Sequence, residues 1–210
     1  MILTKYEHAC FTVEKDGKLL VVDPGDYTSD FIPTDNIVAV FVTHEHGDHA
    51  GHELIKAIAE ISPGIILIGH SDVLETILLD VKKLAVASGQ NMDIAPFSLE
   101  FFGGEHLQSL PTSPIFPNLG VLIDETISYS GDSFAEPSKS PKALILPVSG
   151  SWMKLSMAYE YFMKLQPTIV VPAHDRILSE SGKAQADKHI PTWTTDFEYT
   201  YTRANPGIEF

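Results

Sequence analysis

The chain has 210 residues, a length that fits one large domain, and 44% of them are hydrophobic, the share of a protein that buries a real core. Its formal net charge of −14 disfavours nucleic acid and anionic membranes as partners; a small anionic substrate is not excluded, because bound divalent cations reverse the local sign. The lone cysteine, Cys10, rules out an intrachain disulfide, no signal-peptide pattern opens the chain, and no apolar run approaches the roughly 20 residues of a membrane span, so a soluble cytoplasmic protein is expected.

The first forty residues read as strands. Phe11–Glu14 and Leu19–Val22 flank Lys15-Asp16-Gly17-Lys18, a good hairpin turn, and the second run stops at Asp23-Pro24-Gly25. Ile37–Val42 is a continuous apolar run, as expected of a strand buried on both faces, and it leads directly into Thr43-His44-Glu45-His46-Gly47-Asp48-His49. The stripe Leu54, Ile55, Ile58, Ile61 predicts a helix over Ala50–Ile61, ended by Pro63-Gly64. Further along, strands are predicted at Ile65–Ile68, Phe97–Phe102, Leu119–Ile123, Thr126–Ser130, Ala143–Leu146 and Thr168–Val171, with helices at Val73–Leu79 and Leu155–Leu165. The aromatic, Thr-rich tail after Ile190 gives no clear pattern; it could cover a partner subunit or the chain's own core. No linker or low-complexity stretch divides residues 1–210, so a single α/β domain is expected, with sheets covered by helices.

Several of these strands end in a polar cluster that carries His or Asp, which is where α/β folds keep their chemistry. Four segments stand out: T-H44-E-H46-G-D48-H49, G-G-E-H106, Y-S-G-D132-S and V-P-A-H174-D. Imidazole and carboxylate are the usual ligands of zinc and its first-row neighbours. Three histidines and an aspartate within six residues have little structural use, so this segment is read as metal-binding. Two histidines at i and i+2 off a strand end can hold one metal, while the turn at Gly47 swings Asp48 and His49 towards a second. The reading is then a first site of His44, His46 and His106, a second of Asp48, His49 and His174, and Asp132 bridging them. Metals about 3.5–4 Å apart can share a hydroxide and clamp the substrate.

With these residues in place, the chain resembles the metallo-β-lactamase superfamily, whose H-x-H-x-D-H signature is matched in full by His44, His46, Asp48 and His49. The likeness runs from the hairpin with V-V-D23-P-G to the strand with P-A-H174, and it implies an αββα sandwich with two divalent metal ions at one edge between the sheets. Zinc is the first expectation, with manganese or iron as alternatives. Within the superfamily, the short chain, the opening Y-E-H8-A-C10-F and S-G-D132-S look most like small hydrolases related to L-ascorbate-6-phosphate lactonase. Departures from other branches count against them. The third ligand lies in G-G-E-H106 rather than G-H-T-P-G, which leaves His70 as a weak rival. His46 stands where the di-iron flavoprotein branch has Glu, Cys10 does not match the metal-binding cysteine of broad-spectrum lactamases, and no basic nuclease exosite is present.

Around this core, the resemblance casts Asp23 as a support for the histidine loop, against a plain turn residue. His8 is read as a substrate contact or proton donor, against a packed strand histidine, and Trp152 as a substrate-facing wall, against local packing. Arg176 could grip a phosphate or carboxylate, against an ion pair with Asp175 or Glu180. Cys10 is read as a small core residue. The function expected is hydrolysis of a small lactone or ester by a metal-bridging hydroxide oriented by Asp48 and Asp132. A small-molecule phosphodiesterase is the alternative, and a non-catalytic metal sensor the rival class; a homo-oligomer remains open.

Overall fold

Asp16 and Gly17 carry φ of 51° and 71°, so the first hairpin closes on the left-handed turn that matches strand twist. The computed structural model, which describes residues 1–205 and 207–210, builds two sheets from such units. The first contains β1 (Ile2–Lys5), β2 (Phe11–Lys15), β3 (Lys18–Val22), β4 (Ile37–Phe41), β5 (Ile66–Gly69) and β6 (Lys82–Ala85) in chain order. The second contains β7 (Asn91–Ile94), β8 (Phe97–Glu105), β9 (Pro117–Ile123), β10 (Ile127–Tyr129), β11 (Ala143–Pro147), β12 (Ile169–Ala173) and β13 (Thr200–Tyr201). A last strand, β14 (Ile208–Glu209), returns to pair with β1, giving the orders β14-β1-β2-β3-β4-β5-β6 and β13-β12-β11-β10-β9-β8-β7. The helices are α1 (His52–Ile61), α2 (Ser71–Thr76), α3 (Leu155–Leu165) and α4 (Glu180–His189).

The layers follow from which face of each strand is apolar. Leu3, Phe11, Val13, Leu20, Val22 and Phe41 meet Phe97, Phe101, Val121, Tyr129, Ile145 and Val171 between the sheets. The alternate faces are apolar too, because helices cover both: Val21, Val40 and Leu67 pack on Ile55 and Ile58 of α1 and Val73 and Leu74 of α2, while Leu144, Leu146 and Val170 pack on Ala158, Tyr161, Phe162 and Leu165 of α3. This is the expected αββα sandwich. Each fully buried aromatic or aliphatic side chain contributes about 1.5–3 kcal/mol.

The aromatic tail lies on its own core: Phe162 meets Trp193, Phe197 and Tyr199 at centroid distances of 5.5, 5.3 and 4.7 Å. The second helix runs over Ser71–Thr76 rather than Val73–Leu79, because His70 caps it by accepting the Asp72 N–H and Ile77 is already extended. The first helix starts at His52 rather than Ala50, since residues 46–51 are used in turns. No helix among the described residues is long and apolar enough to cross a membrane.

Candidate metal centre

The parallel register of β3, β4 and β5, and of β10, β11 and β12, brings strand ends to one edge of the sandwich. There the chain leaves β3 at Asp23, β4 at Thr43–His49, β8 at His106, β10 at Asp132 and β12 at His174. The loops are held by close backbone contact. A Cβ on Gly25 would stand 1.8 Å from the Asp48 carbonyl oxygen, so the Asp23–Asp26 turn packs directly on the histidine loop. At Gly131 φ is 63°, and a Cβ would stand 2.3 Å from Asn118 Oδ1. Three residues with chemistry to offer, His8, Asp23 and His174, also sit in left-handed backbone at φ of 57°, 46° and 59°. For such residues this conformation costs about 1–3 kcal/mol and persists only where the surroundings impose it.

Eight of the predicted residues come together. The donor atoms of His44, His46 and His106 lie within 4.8 Å of one another, as do those of Asp48, His49, His174 and His8, and those of His44, His49 and Asp132. Asp132 is central. Its carboxylate oxygens lie 3.9 Å from His44 Nε2, 3.2 Å from His49 Nε2, 3.3 Å from His106 Nε2 and 3.1 Å from His174 Nε2. Yet the four Nε2 atoms and Asp132 Oδ1 are buried without a hydrogen bond among the described residues. Buried polar atoms are ordinarily paired, so five of them converging on one place fit a cation there.

For three of the four, the opposite ring nitrogen shows why Nε2 is a lone pair. His49 Nδ1–H donates to Asp23 Oδ2 at 2.6 Å, and His106 Nδ1–H donates to the Leu107 carbonyl at 2.5 Å. Thr43 donates its hydroxyl proton to Asp23 Oδ2 at 2.7 Å, which leaves its oxygen to accept from His44 Nδ1–H at 3.0 Å. In these three histidines Nδ1 therefore carries the proton and Nε2 presents a lone pair, whereas His174 Nδ1 has no hydrogen-bond partner among the described residues. Asp23 also accepts the Thr43 N–H at 2.8 Å, so one buried carboxylate orients two of the histidines.

His8 has the opposite tautomer. Its Nδ1 accepts the Arg176 N–H at 3.3 Å, so Nε2 carries the proton and donates to Asp48 Oδ2 at 3.0 Å. Though near the ligand set, it offers no lone pair there. Its side chain is also fully buried, behind the partly exposed Asp48. His70 stays away, capping α2. Arg176 pairs with Glu7 at 3.3 Å, not with Asp175 or Glu180. Trp152 stands 5.9 Å from His106 and 5.8 Å from His174 by ring centroids, and packs on Phe134 at 5.8 Å. Cys10 is a fully buried core residue, as expected.

Burial and charge act against each other here. Burial would raise the Asp132 carboxyl, but His49, with His106 and His174, holds it well below the usual range. Asp48 is likewise held down despite burial, by His174 and His8. Burial pushes His44 and His46 down, which keeps their rings neutral. Asn118 was not singled out in the sequence and carried no motif signal. It is fully buried, donates to the Ser130 carbonyl at 2.8 Å and accepts the Asp132 N–H at 3.0 Å, so it holds the loop that presents Asp132.

A double sheet between helices, with a buried His/Asp cluster at the edge where the strands end, defines the class of the protein. The family description "Beta-lactamase superfamily domain" matches residues 2–174, and the chain belongs to that family. It is similar to Protein Rv0786c of Mycobacterium tuberculosis, 26% identical over 204 residues, covering 94% of this chain and 95% of the relative. It is also similar to a UPF0173 metal-dependent hydrolase of Ignicoccus hospitalis, 28% identical over 200 residues, covering 82% and 81%. Among solved structures it superposes on Igni18, a novel metallo hydrolase from Ignicoccus hospitalis, with a TM-score of 0.72 and 18% identity over 100% of this chain and 98% of that one.

Proposed function

We propose that the chain is a metal-dependent hydrolase that holds two divalent ions, zinc first and manganese or iron as alternatives, and cleaves a small lactone or ester. The observation that carries this reading is the set of unpaired, buried Nε2 atoms around Asp132, each of three fixed in tautomer from behind. The names of the Ignicoccus relatives point the same way.

His44, His46 and His106 would hold one ion, Asp48, His49 and His174 the other, and Asp132 both. When bound, such ions bring the pKa of water to near 7 and polarise the substrate oxygen. The chain's own part is positional. His8 engages Asp48 Oδ2, the oxygen that also faces His174 Nε2 at 3.4 Å, and so fixes the carboxylate that, with Asp132, would orient the nucleophile. Asp48 is 23% exposed and remains ionised, so it can accept a hydrogen bond from the nucleophile as well as face a cation. Trp152, 7% exposed between His106 and His174, excludes water from one side of the scissile bond. The finer likeness to the lactonase branch rests on the opening Tyr6-Glu7-His8 and on Ser130-Gly131-Asp132. The buried, unpaired Cys10 suits a cytoplasmic location.

The test is a panel of uncharged lactones, aryl and alkyl esters and small phosphodiesters, offered to zinc- and manganese-loaded protein. Hydrolysis of lactones or esters, lost by about 100-fold or more in Asp48→Asn, supports the reading. Turnover of phosphodiesters alone would replace it with the phosphodiesterase, and no turnover by fully loaded protein would favour the sensor.

A further inference from the structure

A cavity of about 400 Å³ opens beside the cluster, and His106 belongs to both. That volume falls in the range of small-molecule sites, roughly 300–1,000 Å³. Leu107, Ile115, Phe134, Ala135 and Met157 give it apolar walls, with the neutral Gln108 and Ser133 set among them, and Ile115 remains 55% exposed at its edge. Its one formal charge is the exposed Glu105, and neither lysine nor arginine lines it. The wall is continuous with the centre through Trp152, whose ring meets Phe134 on one side and His106 on the other. Arg176, the cation nearest to the motif residues in sequence, lines a different cavity with Tyr27 and Ile177 and is paired with Glu7.

From this lining we infer that the cavity is the subsite for the part of the substrate away from the cleaved bond, and that it takes an uncharged, apolar group such as an alkyl or aryl chain. The inference rests on the proposed metal centre and specifies its substrate. A phosphate or second carboxylate at this position would meet Glu105 and no counter-charge, on a chain of net charge −14, and would be repelled. A chain of methylenes would instead remove both its own surface and that of Ile115, Phe134 and Met157 from water. A phosphorylated sugar acid, the substrate kind implied by the lactonase resemblance, therefore does not suit this wall.

The test uses binding, so that it does not depend on turnover. Straight-chain hydroxamic acids from acetohydroxamic to octanohydroxamic acid carry one metal-chelating head and a tail of growing length. Their Kd for the zinc-loaded full-length chain is measured by calorimetry, beside a hydroxamate whose tail ends in a carboxylate. The expected result is a Kd that falls by up to about fourfold per methylene until the cavity is filled, with the carboxylate-ended tail weaker than its alkyl counterpart. Ile115→Asp and Met157→Lys, both at partly exposed positions outside the core, should flatten this chain-length dependence. A Kd independent of length, no binding at any length, or tighter binding of the carboxylate-ended tail would overturn the proposal. A steep dependence in a protein that hydrolyses neither ester nor lactone would keep the subsite and sink the reaction proposed above.

Discussion

His8 Nε2 and Asp48 Oδ2 are 3.0 Å apart, and the proton between them belongs to His8, because the Arg176 N–H occupies the other ring nitrogen. The same loop also donates the His174 N–H to the His8 carbonyl at 2.9 Å, so two backbone amides clamp one buried histidine. His8 thereby fixes the face that Asp48 turns to the cluster. It is a positioning residue. His8→Ala should weaken binding at the Asp48, His49 and His174 position by about 10–100-fold and leave the His44, His46 and His106 position nearly unchanged. His8→Gln, whose amide can also donate to Asp48, should recover much of the loss. Competitive zinc titration resolving the two affinities is the check; equal weakening of both positions, or no rescue, would count against the assignment.

Asp23 accepts three hydrogen bonds in full burial, from the Thr43 N–H, the Thr43 hydroxyl and His49 Nδ1–H. Asp23→Asn keeps an acceptor for the Thr43 amide but presents an NH₂ to His49. The proton then moves to His49 Nε2 and blocks its lone pair. The expected outcome is a loss of metal affinity of about 10–100-fold with a native circular dichroism spectrum. Unchanged affinity would show that the tautomer is set elsewhere.

Asn118 satisfies the Ser130 carbonyl and the Asp132 N–H from one buried amide. Asn118→Ala strands both, at about 1–3 kcal/mol for each buried group left unpaired. Denaturant unfolding should show a destabilisation of about 2–4 kcal/mol. A loss under 0.5 kcal/mol, the scale of a surface substitution, would contradict the role.

Lys5 is buried, its ammonium donating to the Tyr6 carbonyl, and burial pushes it down to about 8 from 10.5. The folded chain therefore releases this proton near pH 8, while the unfolded chain keeps it to about pH 10.5. Across that window the unfolded state binds more protons, so the contribution of Lys5 to stability rises with pH. Lys5→Met should stabilise the protein at pH 7 by on the order of 3 kcal/mol, and the gain should shrink to little by pH 10.5. Burial raises Cys10, which acts in the opposite sense above pH 9, so the variant is compared with wild type at each pH. A gain that does not vary with pH would contradict the cause assigned.

The sandwich and most of the cluster were legible because apolar strands ran straight into His and Asp, as Ile37–Val42 runs into Thr43–His49. Other elements were not. Lys82–Ala85 and Asn91–Ile94 are edge strands of four residues with two polar side chains each, too short for a run or for the alternation of Asn91–Ile94 to stand out. Glu180–His189 buries only Ala186 and has no apolar stripe, and Ile2–Lys5 is too short to read alone. The same limit applies within the site. His8 is positioned by an amide 168 residues away, and the partner of Arg176 is Glu7 rather than a sequence neighbour. Only the fold brings such pairs together.

Metal content tests the central claim most directly. Protein purified without chelator, or reconstituted with zinc or manganese, is assayed by elemental mass spectrometry beside His46→Ala and Asp132→Ala. The account predicts about two equivalents per chain in wild type, since the two groups of donor atoms, His44, His46 and His106 and then Asp48, His49 and His174, lie on either side of an Asp132 carboxylate that reaches His106 at 3.3 Å and His174 at 3.1 Å. It also predicts a sharp fall in both variants, with most loss in Asp132→Ala because its carboxylate faces four Nε2 atoms. A wild-type chain that holds no metal after reconstitution would contradict the account.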